Sequence, residues 1–204
     1  MRRHARLLDY RVHEGCNARA WVCVEVTSPA VLRGRQGNTV TQFLTRVGPE
    51  PLVAEERAAA LAEERAALVF EPLHDAALFP SHNRIRLYTW GDRDCCLPAG
   101  ATSATLRDDA GDRLLLMAGD VLIFEEAVSP ATGLPEDADP ARRHAVRLTR
   151  VSPSAVEAGD GSLARTTGPA VLDPLTGDAV VEIAWHTDDA LPFPLCLSTP
   201  SVDE

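Results

Sequence analysis

The stretch LLLMAGDVLIFEEAVSPATGLPEDADPARRHAVRLTRV, residues 114–151, indicates the fold class of this chain. Leu114–Met117 is apolar and precedes the turn signal AGD. Val121–Glu126 and Ala145–Val151 alternate side chains between two faces, as half-buried strands do. Between them, residues 129–143 hold prolines, a glycine and acids that interrupt any regular pattern. The stretch therefore predicts strand, tight turn, strand, long surface loop and strand.

Short β-type segments continue through the rest of the chain. Residues of high strand propensity predict further strands at Ala20–Val26, Thr39–Val47, Val69–Glu71, Arg84–Trp90, Val180–His186 and Leu195–Leu197. The acidic turn at 108–112 predicts that Thr102–Arg107 and Arg113–Met117 pair as a hairpin, and residues 27–38 and 152–169 are predicted to be loops. Many short strands at this spacing favour a mainly β fold, a small β-barrel or sandwich. An α+β fold is the alternative, and the lack of strand–helix alternation argues against a doubly wound sheet.

One segment departs from the β pattern. The strong helix formers EERAA occur twice within residues 51–68 and predict one helix on the domain surface. We therefore expect three parts. Residues 1–50 would form the end of a short helical segment plus leading strands, residues 51–68 a helical insert, and residues 69–204 a β-rich core domain that carries the surface loop 129–143.

The charge balance excludes some classes of partner. Thirty acids against twenty bases give a net charge of −10 and an isoelectric point near 5.0. This argues against nonspecific binding to nucleic acid or to an anionic membrane. The charge is uneven, since residues 1–49 carry 8 − 3 = +5 and the remainder carries 12 − 27 = −15. The two parts could attract each other or face opposite partners, but two differently solvated surfaces are the simpler interpretation.

The start of the chain, the absence of a long apolar run and the cysteines predict a cytoplasmic protein. The start, MRRHARLLDY, has no apolar core of a signal peptide, and no run of eighteen apolar residues predicts a membrane-inserted helix. Five cysteines without a CxxC pair indicate neither a disulfide framework nor a zinc module, which fits a reducing compartment.

Catalytic and metal-binding signals are weak. Glu125 and Glu126 are adjacent, so on a strand they point to opposite faces and cannot act as a pair. The loop acids Glu136, Asp137 and Asp139 lack the spacing of a calcium loop. No ligand spacing of a metal site joins the histidines, which are His4, His13, His74, His82, His144 and His186. Neither catalytic residues, a metal nor a cofactor is therefore predicted.

The cysteines and aromatic residues favour packing roles. Cys95-Cys96 is interpreted as a pair of small buried hydrophobes, since no partner histidine for a nucleophile is placed by the sequence. Three tryptophans could line a sugar-binding face with Tyr10 and Tyr88. The tryptophans are Trp21, Trp90 and Trp185. Each lies in or beside a predicted strand, which favours core packing or an interface anchor.

Four stretches resemble a known family. They are HARLLDYRVHEGCNARAWV (4–22), HNRIRLYTWGDRDCCLPAGATSATL (82–106), AGDVLIFEEAVSPATGLPEDADPARRHAVRLTRV (118–151) and EIAWHTDDALPFPLCLS (182–198). In these stretches the chain is similar to the large baseplate assembly protein of contractile injection systems. That protein resembles the baseplate wedge protein of contractile phage tails.

The resemblance implies a structural role without catalysis. Such proteins form a ring around the baseplate hub and contact copies of themselves and neighbouring wedge, hub and sheath proteins. Family members are longer, so the resemblance implies an internal fragment, and residues 51–68 match the family poorly. We expect a non-enzymatic particle component, with the loop 129–143 docking on a neighbouring subunit. The alternatives are a small ligand- or carbohydrate-binding β module and, as a third, a metal-dependent hydrolase.

Overall fold

An antiparallel five-stranded sheet forms the centre of the fold. The computed structural model describes residues 18–35, 39–48 and 52–198. Thirteen strands lie in these ranges, in chain order β1 (Ala30–Leu32), β2 (Phe43–Leu44), β3 (Val69–Phe70), β4 (Ala76–Leu78), β5 (Cys95–Leu97), β6 (Ser103–Arg107), β7 (Val121–Glu125), β8 (Arg143–Ser152), β9 (Ala155–Glu157), β10 (Arg165–Thr167), β11 (Val171–Leu172), β12 (Ala179–Trp185) and β13 (Leu195–Ser198). The helix α1 spans Glu55–Glu64, and short 3₁₀ turns lie at Pro80–His82, Pro135–Asp137 and Thr187–Asp189. The fold is mainly β, as the sequence predicts.

Strand β12 lies in the middle of the central sheet. It pairs with β6 along one edge and with β8 and β11 along the other, and β7 pairs with the far edge of β8. The sheet curls into half of a barrel. Four two-stranded ribbons accompany it, pairing β1 with β4, β2 with β3, β5 with β13 and β9 with β10.

One face of the central sheet carries the hydrophobic core. Alternate positions of β12 are buried, with Ile183 only 1 % exposed, whereas the intervening Glu182 faces solvent. Rings of Phe124 from β7 and Trp185 from β12 lie with their centroids 5.2 Å apart. The buried cluster is completed by Leu106, Leu114, Leu116, Val146, Leu148, Val151, Val181, Leu191 and Leu195. Side chains from segments distant in sequence thus share one core.

Strand β8 contains a bulge that changes which of its side chains are buried. Across from β12, Arg150 faces Ala184 but Leu148 faces Trp185, so Thr149 is an extra residue. The Thr149 hydroxyl donates to the Ala184 carbonyl at 3.1 Å. An extra residue shifts the alternation by one position. Before the bulge the even-numbered residues Val146 and Leu148 are buried, and after it the odd-numbered Val151 is buried.

The predicted strand at Leu114–Met117 is wrong, although its leucines are in the core. Its backbone groups form no ladder: the Leu115 N–H donates to His82 Nε2 at 3.0 Å, and the Leu116 carbonyl accepts a single bond from the Ala155 N–H at 2.8 Å. The predicted hairpin is also wrong, because β6 pairs with β12. The buried Asp108 instead closes the turn by accepting from the Leu114 N–H at 2.8 Å.

Two further predicted strands are not formed. Arg84–Trp90 contributes only a bridge between Leu87 and Leu106, and Trp90 adopts φ +58°, which ends extended structure. Ala20–Val26 forms no ladder; the backbone of Val26 instead exchanges two hydrogen bonds with the side-chain amide of Asn83, at 2.9 and 2.7 Å.

Several boundaries also differ from the prediction. The strand at Thr39–Val47 is reduced to β2. The predicted loop 27–38 contains β1, and the predicted loop 152–169 contains the β9–β10 hairpin. The surface helix is confirmed in the shorter form of α1, and the helical segment predicted near the start of residues 1–50 lies outside the described residues. Across the described ranges, no helix is long and apolar enough to cross a membrane.

Shortening the central core side chain should destabilise the protein. Ile183→Ala removes a fully buried side chain and should lower the free energy of unfolding by about 2–5 kcal/mol. Glu182→Ala, one residue away on the solvent side of β12, is the matched control and should change it by less than about 0.5 kcal/mol. Urea denaturation of both variants measures the difference, and equal effects would show that β12 does not pack as described.

Candidate functional site

The loop between β7 and β8 is held in one conformation by its own hydrogen bonds. We call residues 126–142 the β7–β8 loop. Ser129 is buried, and its N–H donates to the Leu134 carbonyl at 3.1 Å. The Ser129 carbonyl accepts from the Gly133 N–H at 2.8 Å, and its hydroxyl oxygen accepts from the Ala131 N–H at 3.3 Å. One small buried residue thereby closes the first half of the loop.

A buried carboxylate holds the second half. The Glu126 side chain is only 8 % exposed, and it accepts from the Asp139 N–H at 3.0 Å. It also pairs with Arg142 at 3.4 Å, while Arg142 donates to the Pro194 carbonyl at 3.4 Å. A buried carboxylate is tolerated when charged and backbone donors surround it. These contacts tie the loop to its own base and to the segment before β13.

The outward side of the β7–β8 loop combines apolar and acidic groups. Val128 and Leu134 are 46 % and 47 % exposed, and Glu136 and Asp137 face solvent. The arginines at the end of the loop are engaged locally, since Arg142 pairs with Glu126 and Arg143 pairs with Glu125 at 3.2 Å. The sequence suggests a loop that changes from acidic to basic. In the structure the charges of the two arginines are neutralised by these pairs, so the loop presents an acidic tip.

The structure places Glu125 and Glu126 on different faces, as predicted. Glu125 is exposed and pairs with Arg143 at the end of the strand ladder, whereas Glu126 points into the loop base. The loop acids Glu136, Asp137 and Asp139 are not gathered around a common point. Over the described ranges, no three His, Cys, Asp or Glu side chains converge as they would around a metal ion.

The histidines occupy separate places. His74 and His186 are exposed. His144 Nε2 donates to the Asp189 carbonyl at 3.1 Å. His82 is different, because burial lowers its pKa from 6.5 to about 4 and Nε2 accepts from the Leu115 N–H. His4 and His13 lie outside the described residues.

Beside His82 lies an ion cluster that sequence reasoning missed. Arg165 is 7 % exposed and donates to both carboxylate oxygens of Asp120, at 2.6 and 2.9 Å. It also pairs with Glu157 at 3.3 Å, and its guanidinium carbon lies 5.8 Å from the centre of the Phe79 ring. The cluster joins the β9–β10 hairpin to the turn before β7, so its role is structural. In the sequence, the only sign of this cluster is an arginine within a stretch of β propensity.

The tryptophans do not form one face. Trp185 is in the core, as the packing interpretation predicts. Trp21 and Trp90 are exposed, and Trp90 makes an edge contact with the buried Tyr88, with ring centroids 5.2 Å apart. The hydroxyl of Tyr88 donates to Asp173 at 2.7 Å, so this ring is engaged in structure. Tyr10 lies outside the described residues.

An open groove lies between residues 80–86 and residues 107–114. Its volume is about 610 Å³, and charged groups of both signs line it. Arg84 at its edge pairs with Glu25 at 3.3 Å, and the buried Asp108 pairs with Arg113 at 2.5 Å. A groove of mixed charge with an ion pair at its edge favours no particular ligand class. The β7–β8 loop is therefore the stronger candidate for function.

The cysteine interpretation is corrected at one position. Cys95 is half-buried, and burial raises the pKa of its thiol, as expected for a packed cysteine. Cys96 is exposed, so the prediction that both are buried small hydrophobes is wrong for it.

Comparison with known proteins gave no match to this chain among family models, curated proteins or solved structures.

The partly buried His82 should make the protein sensitive to acid. The unfolded state takes up a proton near pH 6.5, but the folded state does so only near pH 4, so stability falls as pH decreases through this window by about 3 kcal/mol. Asp120 faces His82 and opposes the shift, while Arg165 adds to it. His82→Gln keeps an acceptor for the Leu115 N–H without titrating, and should lose less stability between pH 6.5 and 4.

Urea denaturation at several pH values measures this effect. His186→Gln, at an exposed position, is the control and should keep the pH profile of the unmodified protein. An unchanged profile in His82→Gln would refute the assignment.

Loss of the Glu126 carboxylate should loosen the β7–β8 loop. Glu126→Ala removes the acceptor for the Asp139 N–H and leaves Arg142 without this partner, so trypsin should cut after Arg142 or Arg143 roughly tenfold faster or more. Glu126→Gln retains an acceptor and should be cut at an intermediate rate. Mass spectrometry of timed digests identifies the site, and equal rates in all three proteins would contradict the role of Glu126.

Proposed function

We propose that this chain is a structural component of the baseplate of a phage-tail-like contractile injection system, where it makes subunit–subunit contacts in the wedge ring. In this proposal it is not an enzyme and uses no cofactor. Its partners are copies of itself and neighbouring wedge, hub and sheath proteins. It assembles into the particle in the cytoplasm.

The observation that carries the proposal is where the resembling stretches lie in the fold. Residues 118–151 form β7, the β7–β8 loop and nearly all of β8. Residues 82–106 contain β5 and most of β6, and residues 182–198 contain much of β12 and all of β13. Three of the four stretches that resemble the baseplate family thus contribute adjoining strands of one β unit. Most of the fourth, residues 4–22, lies outside the described residues. A family resemblance scattered over unconnected surface segments would support the proposal less.

The form of the β7–β8 loop supports a docking role. A loop ordered before binding loses less conformational entropy when a partner immobilises it. Here Ser129 and Glu126 hold the loop, while Leu134 and its neighbours remain exposed. Rigid scaffolds that present exposed loops are a common arrangement for binding. The acidic tip, with Glu136 and Asp137, suits a basic surface on the neighbouring subunit.

Deleting the tip of the loop should prevent assembly without unfolding the domain. Removal of residues 132–139, bridged by two glycines, leaves β7, β8 and the core intact. We expect unchanged circular dichroism but loss of complete particles, measured by electron microscopy of particles from the native host. Normal particles carrying the deletion would refute the docking role of this loop.

Point variants refine the same experiment. Leu134→Asp places a charge on the exposed apolar part of the β7–β8 loop. Leu175→Asp is its matched control, since Leu175 is 92 % exposed in the turn between β11 and β12. Only the first should reduce co-purification of sheath, tube and hub proteins identified by mass spectrometry. Equal losses would indicate a general effect of added charge, and recovery of the unmodified protein without any tail component would refute the proposed function itself.

A further inference from the structure

Two cysteines that are far apart in sequence lie opposite each other in the ribbon formed by β5 and β13. The antiparallel register pairs Cys96 directly with Cys196. The Cys96 thiol donates to the Cys196 sulfur, and the two sulfur atoms are 2.8 Å apart. Both residues are exposed and both thiols are free. The pair therefore combines direct contact with access for a small reagent in solution.

We infer that Cys96 and Cys196 are an oxidation site, at which the two thiols close into an intramolecular disulfide that joins β5 to β13. The inference goes beyond the proposed function and does not depend on it. Disulfides require Cβ atoms within a few ångströms of each other, a condition that directly opposed residues of an antiparallel pair approach. The ribbon is anchored below the pair, because Leu195 is 3 % exposed in the core and Leu97 and Leu197 pack against that core.

The neighbouring Cys95 is distinguished from this pair by the strand geometry. Successive side chains of a strand point to opposite faces, so Cys95 points away from Cys96. Its N–H donates to the Ser198 hydroxyl at 3.1 Å, and Ser198 rather than Cys196 is its partner in the register. The geometry thus selects one of the two adjacent cysteines.

The reaction balances with a peroxide as oxidant. One thiolate attacks an oxygen of hydrogen peroxide, the O–O bond breaks, and a sulfenic acid and one water result. The second sulfur then displaces hydroxide from the sulfenic sulfur, which forms the S–S bond and a second water after protonation. The two sulfurs lose two electrons in total, and the two thiol protons end in the two waters.

The hydrogen bond between the thiols affects the rate. The bond to Cys196 is the largest cause that raises the pKa of Cys96 to about 11. Because the thiolate is the reactive form, attack by Cys96 should be slow at neutral pH and should accelerate as the pH rises.

The test uses the full chain, reduced, desalted and exposed to hydrogen peroxide. Remaining thiols are blocked with N-ethylmaleimide, and tryptic peptides are examined by mass spectrometry. We expect peptide 94–107 to be linked to peptide 166–204, and the thiol count to fall from 5 to 5 − 2 = 3. Because peptide 94–107 contains both Cys95 and Cys96, variants are needed to assign the link.

Three serine variants assign the link. Cys95→Ser should keep the linked peptides, whereas Cys96→Ser and Cys196→Ser should both lose them. Far-UV circular dichroism tests whether each variant is folded. If either Cys96→Ser or Cys196→Ser fails to fold, the other variant is sufficient for the test. Linkage through Cys95, Cys23 or Cys16, linkage between molecules on a non-reducing gel, or no loss of thiols would each overturn the inference.

Thermal unfolding provides a second measurement. A disulfide between residues 96 and 196 closes a long loop, which restricts the unfolded chain, so Tm of the oxidised protein should rise by roughly 5–15 °C. Cys96→Ser should show no difference between peroxide-treated and untreated samples. A rise in Tm of the Cys96→Ser protein equal to that of the unmodified protein would overturn the assignment of the link to Cys96.

Discussion

The pairing of β12 with strands on both of its edges is the constraint on which the rest of the structure depends. Its partners β6 and β8 are separated in sequence by β7 and the β7–β8 loop, so the sheet forms only when distant parts of the chain meet. Burial of the β12 side chains, Val181 and Ile183 above all, supplies the driving force for this meeting. The half-barrel, the bulge in β8 and the placement of the β7–β8 loop all follow from it.

Outside the central sheet, single polar side chains hold backbone segments in place, as the strand ladders do within the sheet. Asp108 closes the turn after β6, Asn83 holds the backbone of Val26, and Arg165 ties the β9–β10 hairpin to Asp120. In each case a side chain satisfies backbone or charged groups that short irregular segments leave without ladder partners. This explains how a chain with many very short strands keeps defined connections. It also explains why strand propensity overstates the regular structure here.

The same principle shapes the candidate interaction surface. The β7–β8 loop is long and polar, yet Ser129 and Glu126 give it a defined form on a rigid sheet. Such a loop suits the structural role that we propose, because its exposed tip is available and its ordering cost has been met during folding. The Cys96–Cys196 pair adds a possible covalent link at the ribbon of β5 and β13, independent of the loop.

Residue order alone was sufficient for the mainly β class, the surface helix and the loop between β7 and β8, because these follow from local periodicity, helix propensity and turn residues. It failed for Leu114–Met117, whose backbone forms no strand ladder, and for Arg84–Trp90, which meets β6 in a single bridge and forms no longer ladder. Whether an extended segment joins a ladder depends on which strand lies beside it, and only the tertiary structure decides that. Cys96 and Cys196 are 100 positions apart, and no spacing rule relates them, so the sequence did not predict their contact. Only the register of β5 with β13 brings the two sulfurs into contact, because hydrogen bonding between strands acts over any separation in sequence.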